Sequence, residues 1–311
     1  MINSQDYPVP VANGQTVQAA TSHRLIEAFL SGRNPRTLRA YSQDLADLAR
    51  FAGCATVEDA ARLLLGRGHG EANALALAYR ASLVERGLAP ATINRRLAAV
   101  RALVKLARTL GMVAWTLEVP GLRSENYRDT RGPGNAAIRE VLDALAKRSD
   151  VKAKRDRAIL RLLYDLALRR SEVTRLDVED CDLEAGTLAV VGKGRAAKVK
   201  LTLPSETAEA LVHWIAARGT ETGALFPNLD RAGKGKRLTG AGLWYMVKSY
   251  GLGRPHGLRH AAITEALDLM NGNLRAVQRY SRHRDARILG VYDDNRTDLA
   301  GEVARRVAAG K

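Results

Sequence analysis

Six polar side chains follow one another through the carboxyl-terminal half of the chain, in an order suited to phosphoryl chemistry. They are Arg169, Lys193, His256, Arg259, His283 and Tyr292. A phosphodiester under attack gains negative charge on its non-bridging oxygens, and planar, permanently charged guanidinium groups stabilise that charge. A tyrosine hydroxyl ionises only at about pH 10, so it needs a neighbouring acceptor or cation to become a nucleophile. The two histidines are candidates for that neighbour, and the set indicates attack of Tyr292 on a phosphodiester.

Each member also has a plainer interpretation when it is taken alone. Tyr292 is one of nine tyrosines, and a tyrosine late in a helical region is usually a packing residue with a wet hydroxyl. Arg169 precedes Glu172 by three residues and alone suggests an ion pair. Lys193, in a Gly-Lys-Gly turn between two strand-like runs, alone suggests an exposed hairpin lysine. The ordered occurrence of all six groups favours the catalytic interpretation.

Two competing motifs lack essential residues. His256 and His260 are four apart on a predicted helix, but Gly257 stands where a zinc hydrolase of the HExxH type needs glutamate. The Gly-Lys-Gly turn at 192–194 lacks the spacing and the Ser or Thr of a nucleotide-binding loop. Neither a metal site nor nucleotide hydrolysis is supported, and His260 is expected to be a packed or hydrogen-bonded helix residue.

The order and spacing of the six groups resemble the tyrosine recombinase (phage integrase) family, of the compact Xer-like or mobile-element type. The resemblance implies that Arg169 and Arg259 clamp the scissile DNA phosphate and that Tyr292 attacks it. Because the phosphate ester survives in a 3′-phosphotyrosine intermediate, the resemblance implies no cofactor and no metal. Carboxylate clusters of the kind that hold the ions of two-metal nucleases are nearly absent, which agrees.

The resemblance also assigns the supporting roles. Lys193 would protonate the leaving 5′ oxygen, and His256 would handle the tyrosine proton. His283 would add a hydrogen bond to the phosphate, and Glu172 would prop the site. Two positions depart from the family pattern, because Arg282 replaces the glycine before the second histidine and Ala167 replaces the glycine before Leu-Arg. Neither departure removes a catalytic atom.

Charge and length favour a DNA-binding protein of two domains. The chain has 311 residues, a formal net charge of +16 and a pI near 10.2. Such an excess attracts polyanions through counterion release, so double-stranded DNA is the expected partner. No apolar run approaches the length of a membrane span. The solitary cysteines Cys54 and Cys181 favour a reducing cytoplasm, and residues 1–20, expected to form a flexible tail, lack the features of a signal peptide.

A helical pattern over residues 21–112 predicts an amino-terminal bundle, and the stretch 34–45 resembles the core-binding domain of the tyrosine recombinases. In its last helix, predicted over 91–110, apolar residues form one stripe and basic residues gather elsewhere. From Arg86 to Gly111, with Arg86 included, there are six basic residues and no acidic one, which indicates a phosphate-facing surface rather than a solvated helix. The expected DNA contacts are Asn94, Arg95, Arg96, Arg101, Lys105 and Arg108.

Residues 113–135, rich in turn formers and arginine, are expected to link this domain to a catalytic domain over 136–311. The predicted fold class is mainly α, of the α+β type, with a small antiparallel sheet. The helical core-binding bundle and the mostly helical catalytic domain are expected to form a clamp around DNA. After Tyr292, apolar residues at 299, 303 and 307 form a stripe that needs a partner.

The resemblance implies that this carboxyl-terminal helix docks on a neighbour in a tetramer on DNA. The expected function is site-specific recombination at a short, palindrome-like core site, for integration, excision or dimer resolution. A type IB topoisomerase, which shares the chemistry, and a homologue that binds DNA without cutting it are the alternatives.

Overall fold

The chain forms two compact units, residues 1–125 and 126–311. The computed structural model describes residues 24–29, 31, 35–123, 132–192, 197–230, 233–291 and 299–310. None of the helices within these ranges has both the length and the apolar character needed to cross a membrane.

The first unit is a helical bundle. After a helical stretch at residues 24–29, its helices are α1 (Pro35–Phe51), α2 (Val57–Gly66), α3 (Gly68–Glu85) and α4 (Pro90–Thr109). Helix α4 starts at Pro90, whose fixed φ and missing N–H suit the first helical turn. Ile93, Leu97, Val100 and Val104 recur at helical spacing along α4 and are fully buried in the core. The predicted apolar stripe of this helix is confirmed.

The segment after α4 packs against the first unit. Leu117 and Val119 are buried in its core, and Trp115 and Leu122 pack against that core. The boundary between the two units lies inside the segment 113–135 that the sequence assigns to a linker. Residues 113–122 are therefore part of the first unit's packed structure, and residues 124–131 lie outside the described residues.

The second unit is mostly helical and carries one small sheet. Its helices are α5 (Asn135–Ala146), α6 (Val151–Tyr164), α7 (Arg170–Val173), α8 (Ser205–Arg218), α9 (Gly240–Ser249), α10 (Pro255–Leu269), α11 (Leu274–Ser281) and α12 (Leu299–Ala308). Helix α6 lies at the centre, with ten buried residues, and packs against both α8 and α5.

The sheet has the order β1 (Cys181–Asp182), β2 (Thr187–Val191) and β3 (Lys198–Thr202), and both pairings are antiparallel. Val191 pairs with Lys198, so the chain between β2 and β3 is a short connection. The predicted fold class, mainly helical with a small antiparallel sheet, is confirmed.

The two departures from the family's glycines fall where the backbone is left-handed. Ala167 has φ 45°, and Arg282, the residue after α11, has φ 57°. Glycine adopts this region without steric cost, whereas a Cβ atom makes it unfavourable. Contacts around Ala167 and Arg282 must therefore hold the two turns in place.

Candidate active site

Arg169 is presented at the start of the short helix α7 and is held there by Glu172. The Arg169 N–H donates to Glu172 Oε2 at 2.9 Å, and Arg169 Nη1 donates to Glu172 Oε1 at 2.7 Å. A carboxylate three residues into a helix that binds the cap N–H is one half of a capping box. Glu172 is buried, whereas the Arg169 side chain keeps 25% of its surface exposed. The guanidinium is thus fixed at its base and remains accessible.

Arg259 lies one turn inside α10 and is buried, with 2% of its surface exposed. Its Nη1 donates to the carbonyl of Ala167, and its Nη2 donates to the carbonyl of Ser281 at 2.5 Å. The same Nη2 lies 3.3 Å from His283 Nε2. Arg259 therefore joins the loop that leads to Arg169 with the loop that carries His283.

His283 is held between Arg259 and Ser281. A guanidinium has donors only, so His283 Nε2 accepts from Arg259 and the ring proton belongs on Nδ1. Nδ1 lies 3.0 Å from Ser281 Oγ and donates to it, and the hydroxyl in turn donates to the carbonyl of Gln278 at 3.3 Å. The orientation of the ring is fixed from both sides.

Burial and the positive charges of the site together lower the pKa of His283. Burial, followed by the charges of Arg259, Arg169, Arg282 and His256, lowers this pKa from its ordinary value to about 4. His283 is therefore neutral at pH 7. The groups that act on it come from three separate parts of the second unit, so the structure brings four of the six sequence-predicted residues to one place.

The comparisons with known proteins agree with this arrangement. The model of the phage integrase family matches residues 135–298, which is more than half of the 311 residues. The chain belongs to the phage integrase family. A tyrosine recombinase of Synechocystis sp. is 41% identical over 283 residues, covering 88% of this chain and 90% of the relative. XerC of Chromohalobacter salexigens is 32% identical over 291 residues, covering 87% of this chain and 90% of the relative.

Solved structures of the family share the fold. A lambda integrase dimer bound to a COC′ core site matches with a TM-score of 0.64 at 14% identity, covering 89% of this chain and 96% of that one. XerH bound to a palindromic difH substrate matches with a TM-score of 0.61 at 19% identity, covering 88% of this chain and 78% of that one. The predicted family is confirmed, and this member of it is a tyrosine recombinase.

Of the other three predicted active-site residues of this tyrosine recombinase, the structure describes only His256. His256 lies on the first turn of α10 and is exposed, close enough to His283 to affect its pKa. Lys193 belongs to the connection between β2 and β3, and Tyr292 follows the 3₁₀ helix Ala286–Val291. Both Lys193 and Tyr292 lie outside the described residues. Across the described ranges, no group of three or more His, Cys, Asp or Glu is arranged to hold a metal.

His260, for which the sequence favours a packing role over a catalytic one, is buried in α10 with its Nδ1 3.4 Å from Thr264 Oγ1. It is a packed, hydrogen-bonded residue, as expected.

The sequence missed two residues that build the site, Ser281 and Arg282. Ser281 is fully buried and orients His283. Arg282 Nη2 donates to the Ala167 carbonyl at 3.1 Å and to Glu172 Oε2 at 3.2 Å. The available signal was a long basic side chain at a position where the family has glycine, next to the predicted catalytic histidine His283.

Glu172 is a charged bridge between two arginines. Burial raises its pKa, but the hydrogen bonds from Arg169 and the charge of Arg282 outweigh burial and bring the pKa below its ordinary value. The carboxylate is thus ionised at neutral pH, and it orients Arg169 while it neutralises part of the excess positive charge.

We expect Glu172→Gln to weaken both folding and DNA cleavage. The amide keeps the shape but lacks the charge, and its NH₂ group faces guanidinium donors, so the free energy of unfolding should fall by about 1–3 kcal/mol. Misorientation of Arg169 should lower the cleavage rate by about 10- to 100-fold. Thermal unfolding and single-turnover cleavage measure the two effects. Glu184→Gln, at an exposed carboxylate in the same unit, is the control; equal effects in both variants would contradict the bridging role.

The basic face of α4 in the first unit is partly engaged by the protein itself. Arg95 Nη1 bonds Asp44 Oδ2 at 2.6 Å, and Arg96 Nη1 bonds Asp47. The amide of Asn94 both donates to and accepts from the backbone of Leu122, at 2.9 and 2.7 Å.

Arg101 donates to the Val119 carbonyl at 3.2 Å, whereas Lys105 and Arg108 are exposed. Four of the six residues expected to contact DNA thus have partners within the chain. The acids that balance α4 lie on α1, about fifty positions away in sequence, where a comparison of i,i+4 neighbours does not reach.

Proposed function

We propose that this tyrosine recombinase cuts and rejoins DNA at specific sites through a 3′-phosphotyrosine on Tyr292. The observation that carries the proposal is the cluster of Arg169, Arg259 and His283, in which two guanidiniums flank a neutral histidine. Such a cluster offers fixed positive charge where a phosphate would gain negative charge in the transition state. The family membership of the chain supplies the reaction class.

The reaction divides into two transesterifications. The Tyr292 hydroxyl oxygen attacks the scissile phosphorus, the bond from phosphorus to the 5′ oxygen breaks, and the tyrosine proton passes to His256. Lys193 gives a proton to the leaving 5′ oxygen. In the second step a 5′ hydroxyl attacks the phosphotyrosine and Tyr292 is released with its proton. Each step exchanges one phosphate ester for another, so no external energy source is needed.

Arg169 and Arg259 are proposed to hold the two non-bridging oxygens. The buried Arg259 already has one nitrogen on the Ala167 carbonyl, which fixes the plane of its guanidinium. His283 Nε2 is an acceptor in the present arrangement, so donation to a phosphate oxygen requires a proton on Nε2. A bound phosphate would favour that proton because an anion raises the pKa of a nearby histidine.

For the first unit, we propose that Lys105 and Arg108 contact the DNA backbone directly, together with the half-exposed Arg95. Asn94 and Arg101 hold the segment after α4 against the helix, and Arg96 is tied to Asp47 with 16% of its side chain exposed. These three residues support the surface rather than meet phosphate. Phosphate contacts set affinity and register but do not read sequence.

The target is proposed to be a short, palindrome-like core site with one protomer on each half. The XerH relative is bound to a palindromic substrate, which supports this choice. Free thiols at Cys54 and Cys181 fit work in the cytoplasm. Integration or excision of a mobile element and resolution of chromosome dimers are the roles consistent with this chemistry.

The deciding experiment uses a DNA half-site with a nick next to the cleavage position, so that the short 5′ product diffuses away and religation fails. The protein should become covalently attached, and peptide mapping should find the adduct on Tyr292. A homologue that only binds would give no adduct. Strand exchange between two sites, rather than relaxation of supercoils by a monomer, would separate a recombinase from a topoisomerase.

We further propose that the protein assembles on DNA as a tetramer through α12. Val307 on this helix has 75% of its surface exposed, and an apolar stripe of this kind is stable in water only when another surface covers it. Deletion of residues 298–311 should therefore abolish complexes of two DNA sites while leaving the melting temperature of the monomer unchanged. Native gels and thermal unfolding measure the two quantities. Replacement of the exposed Arg305 and Arg306 by alanine is the control, and a truncated protein that still pairs two sites would exclude this role.

A further inference from the structure

Ala167 and Arg282 both have strained backbone conformations, and a hydrogen bond connects them. Both have left-handed backbone, with φ of 45° and 57°, and both carry a Cβ atom that makes this conformation unfavourable. Arg282 Nη2 donates to the Ala167 carbonyl at 3.1 Å. Ala167 is fully buried, and its carbonyl also accepts from Arg259. The turn at Ala167 is therefore held from outside by side chains rather than by its own backbone preference.

The Arg282 guanidinium forms hydrogen bonds at both ends of the turn that carries Arg169. On the side before Arg169, Nη1 donates to the Leu166 carbonyl at 3.0 Å and Nη2 donates to Ala167. On the side after Arg169, Nη2 donates to Glu172 Oε2 at 3.2 Å. Arg169 lies between these anchors, and its own N–H is bonded to the same Glu172 oxygen.

Four of the five N–H donors of the Arg282 guanidinium are hydrogen-bonded within the protein. The two Nη atoms carry four N–H groups and meet four acceptors, the fourth being the Tyr280 carbonyl at 3.0 Å. The remaining Nε is buried, and its N–H has no hydrogen-bond partner within the described ranges. Because its Nη donors already have protein acceptors, Arg282 is poorly placed to bind a DNA phosphate directly.

We propose that Arg282 is a positioning residue for Arg169, and that it acts by holding Ala167 in a left-handed turn that a glycine would adopt unaided. The proposal rests on the proposed function, because the role of Arg169 in catalysis gives the positioning its effect. Its particular consequence is that Ala167 and Arg282 are coupled: a glycine at 167 should make Arg282 partly dispensable.

The test is a double-mutant cycle with Ala167→Gly, Arg282→Ala and the double variant, measured by single-turnover cleavage of the nicked half-site. Alanine at 282 keeps the Cβ atom, so only the side-chain bonds are removed. Arg282→Ala should cleave about 10- to 100-fold more slowly, as expected for a displaced catalytic group. Ala167→Gly alone should change the rate less than about threefold, yet it should raise the rate of the Arg282→Ala protein at least about fivefold.

DNA affinity separates positioning from direct phosphate binding. For a positioning residue, the affinity of Arg282→Ala and its dependence on salt should match those of the unchanged protein. Loss of a phosphate contact would instead lower the affinity and reduce the slope of log K against log salt by about one. Arg282→Lys keeps the charge without the planar fork, so it should cleave as slowly as the alanine variant. Arg275→Ala, at an exposed arginine on α11, is the matched control.

Absence of rescue by glycine at 167, a rate for Arg282→Ala equal to that of the unchanged protein, or a parallel loss of affinity would each overturn the proposal. If Arg282→Ala does not fold, a folded and active double variant still supports the coupling, and a double variant that is also unfolded overturns it. Failure of the unchanged protein to form any adduct would be a failure of the proposed function instead. Thermal unfolding of the four proteins then measures the coupling without reference to activity.

Discussion

Tyr292→Phe is expected to abolish covalent capture of DNA while DNA affinity stays within about twofold, because the change removes one oxygen and no charge. Loss of a sole nucleophile lowers the rate by at least about 10⁴-fold in enzymes whose other groups cannot replace it. The arginines and histidines of the site should still bind the scissile phosphate. Trapping on the nicked half-site, read by denaturing gel, measures capture, and a binding assay at fixed salt concentration measures affinity.

Tyr245→Phe is the matched control for this experiment, since Tyr245 is a tyrosine of the same unit with 67% of its surface exposed. Its capture rate should remain that of the unchanged protein. An adduct on the Tyr292→Phe protein would mean that another residue is the nucleophile. Loss of binding together with capture would show that position 292 supports DNA binding rather than the chemical step.

Much of the fold could be predicted from the sequence because local patterns determine it. The period of apolar residues in α4 places Ile93, Leu97, Val100 and Val104 on one face, and all four are buried. The Gly-Lys-Gly turn between two strand-like runs predicts the hairpin of β2 and β3, whose strands pair antiparallel. In both elements the signal lies within about twenty consecutive residues, so no distant partner is needed to interpret it.

The sequence did not reveal the contacts between residues from distant parts of the chain. Asp44 and Asp47 pair with Arg95 and Arg96 across two helices, so a helix without acids of its own is still neutralised in part. The segment through Leu117 and Val119 has no helical or strand period, yet these residues are buried. Its packing depends on a complementary surface that forms only when the bundle assembles.

The same limit applies to the active site. Residue types and order identify Arg169, Arg259 and His283, but the sequence presents Arg282 only as a missing glycine. The acceptors that explain it, at 166, 167 and 172, are more than a hundred residues away. A left-handed backbone angle is likewise a property of the folded turn. A charged side chain at a position where the family has glycine therefore indicates a long-range contact, even though the local sequence pattern does not reveal its partners.

Substitution of Arg259 is expected to have the second large effect on the rate of DNA cleavage. Arg259→Lys should slow cleavage by about 10³-fold, because a single ammonium cannot reach both the phosphate and the two carbonyls that the planar fork connects. The loss of donors to Ala167 and Ser281 leaves buried carbonyls less satisfied, so the free energy of unfolding should also fall by about 1–3 kcal/mol. The positive charge remains, so DNA affinity should change little.

Arg254→Lys gives the control for Arg259→Lys, because Arg254 is exposed at the start of the same helix and undergoes the same substitution. Its cleavage rate should stay close to that of the unchanged protein, because the Arg254 side chain is exposed and lysine keeps its positive charge. Single-turnover rates on the nicked half-site compare the two variants at temperatures where both are folded. If Arg259→Lys cleaves as fast as Arg254→Lys, the buried guanidinium serves the fold alone, and the charge that stabilises the transition state must come from elsewhere in the cluster.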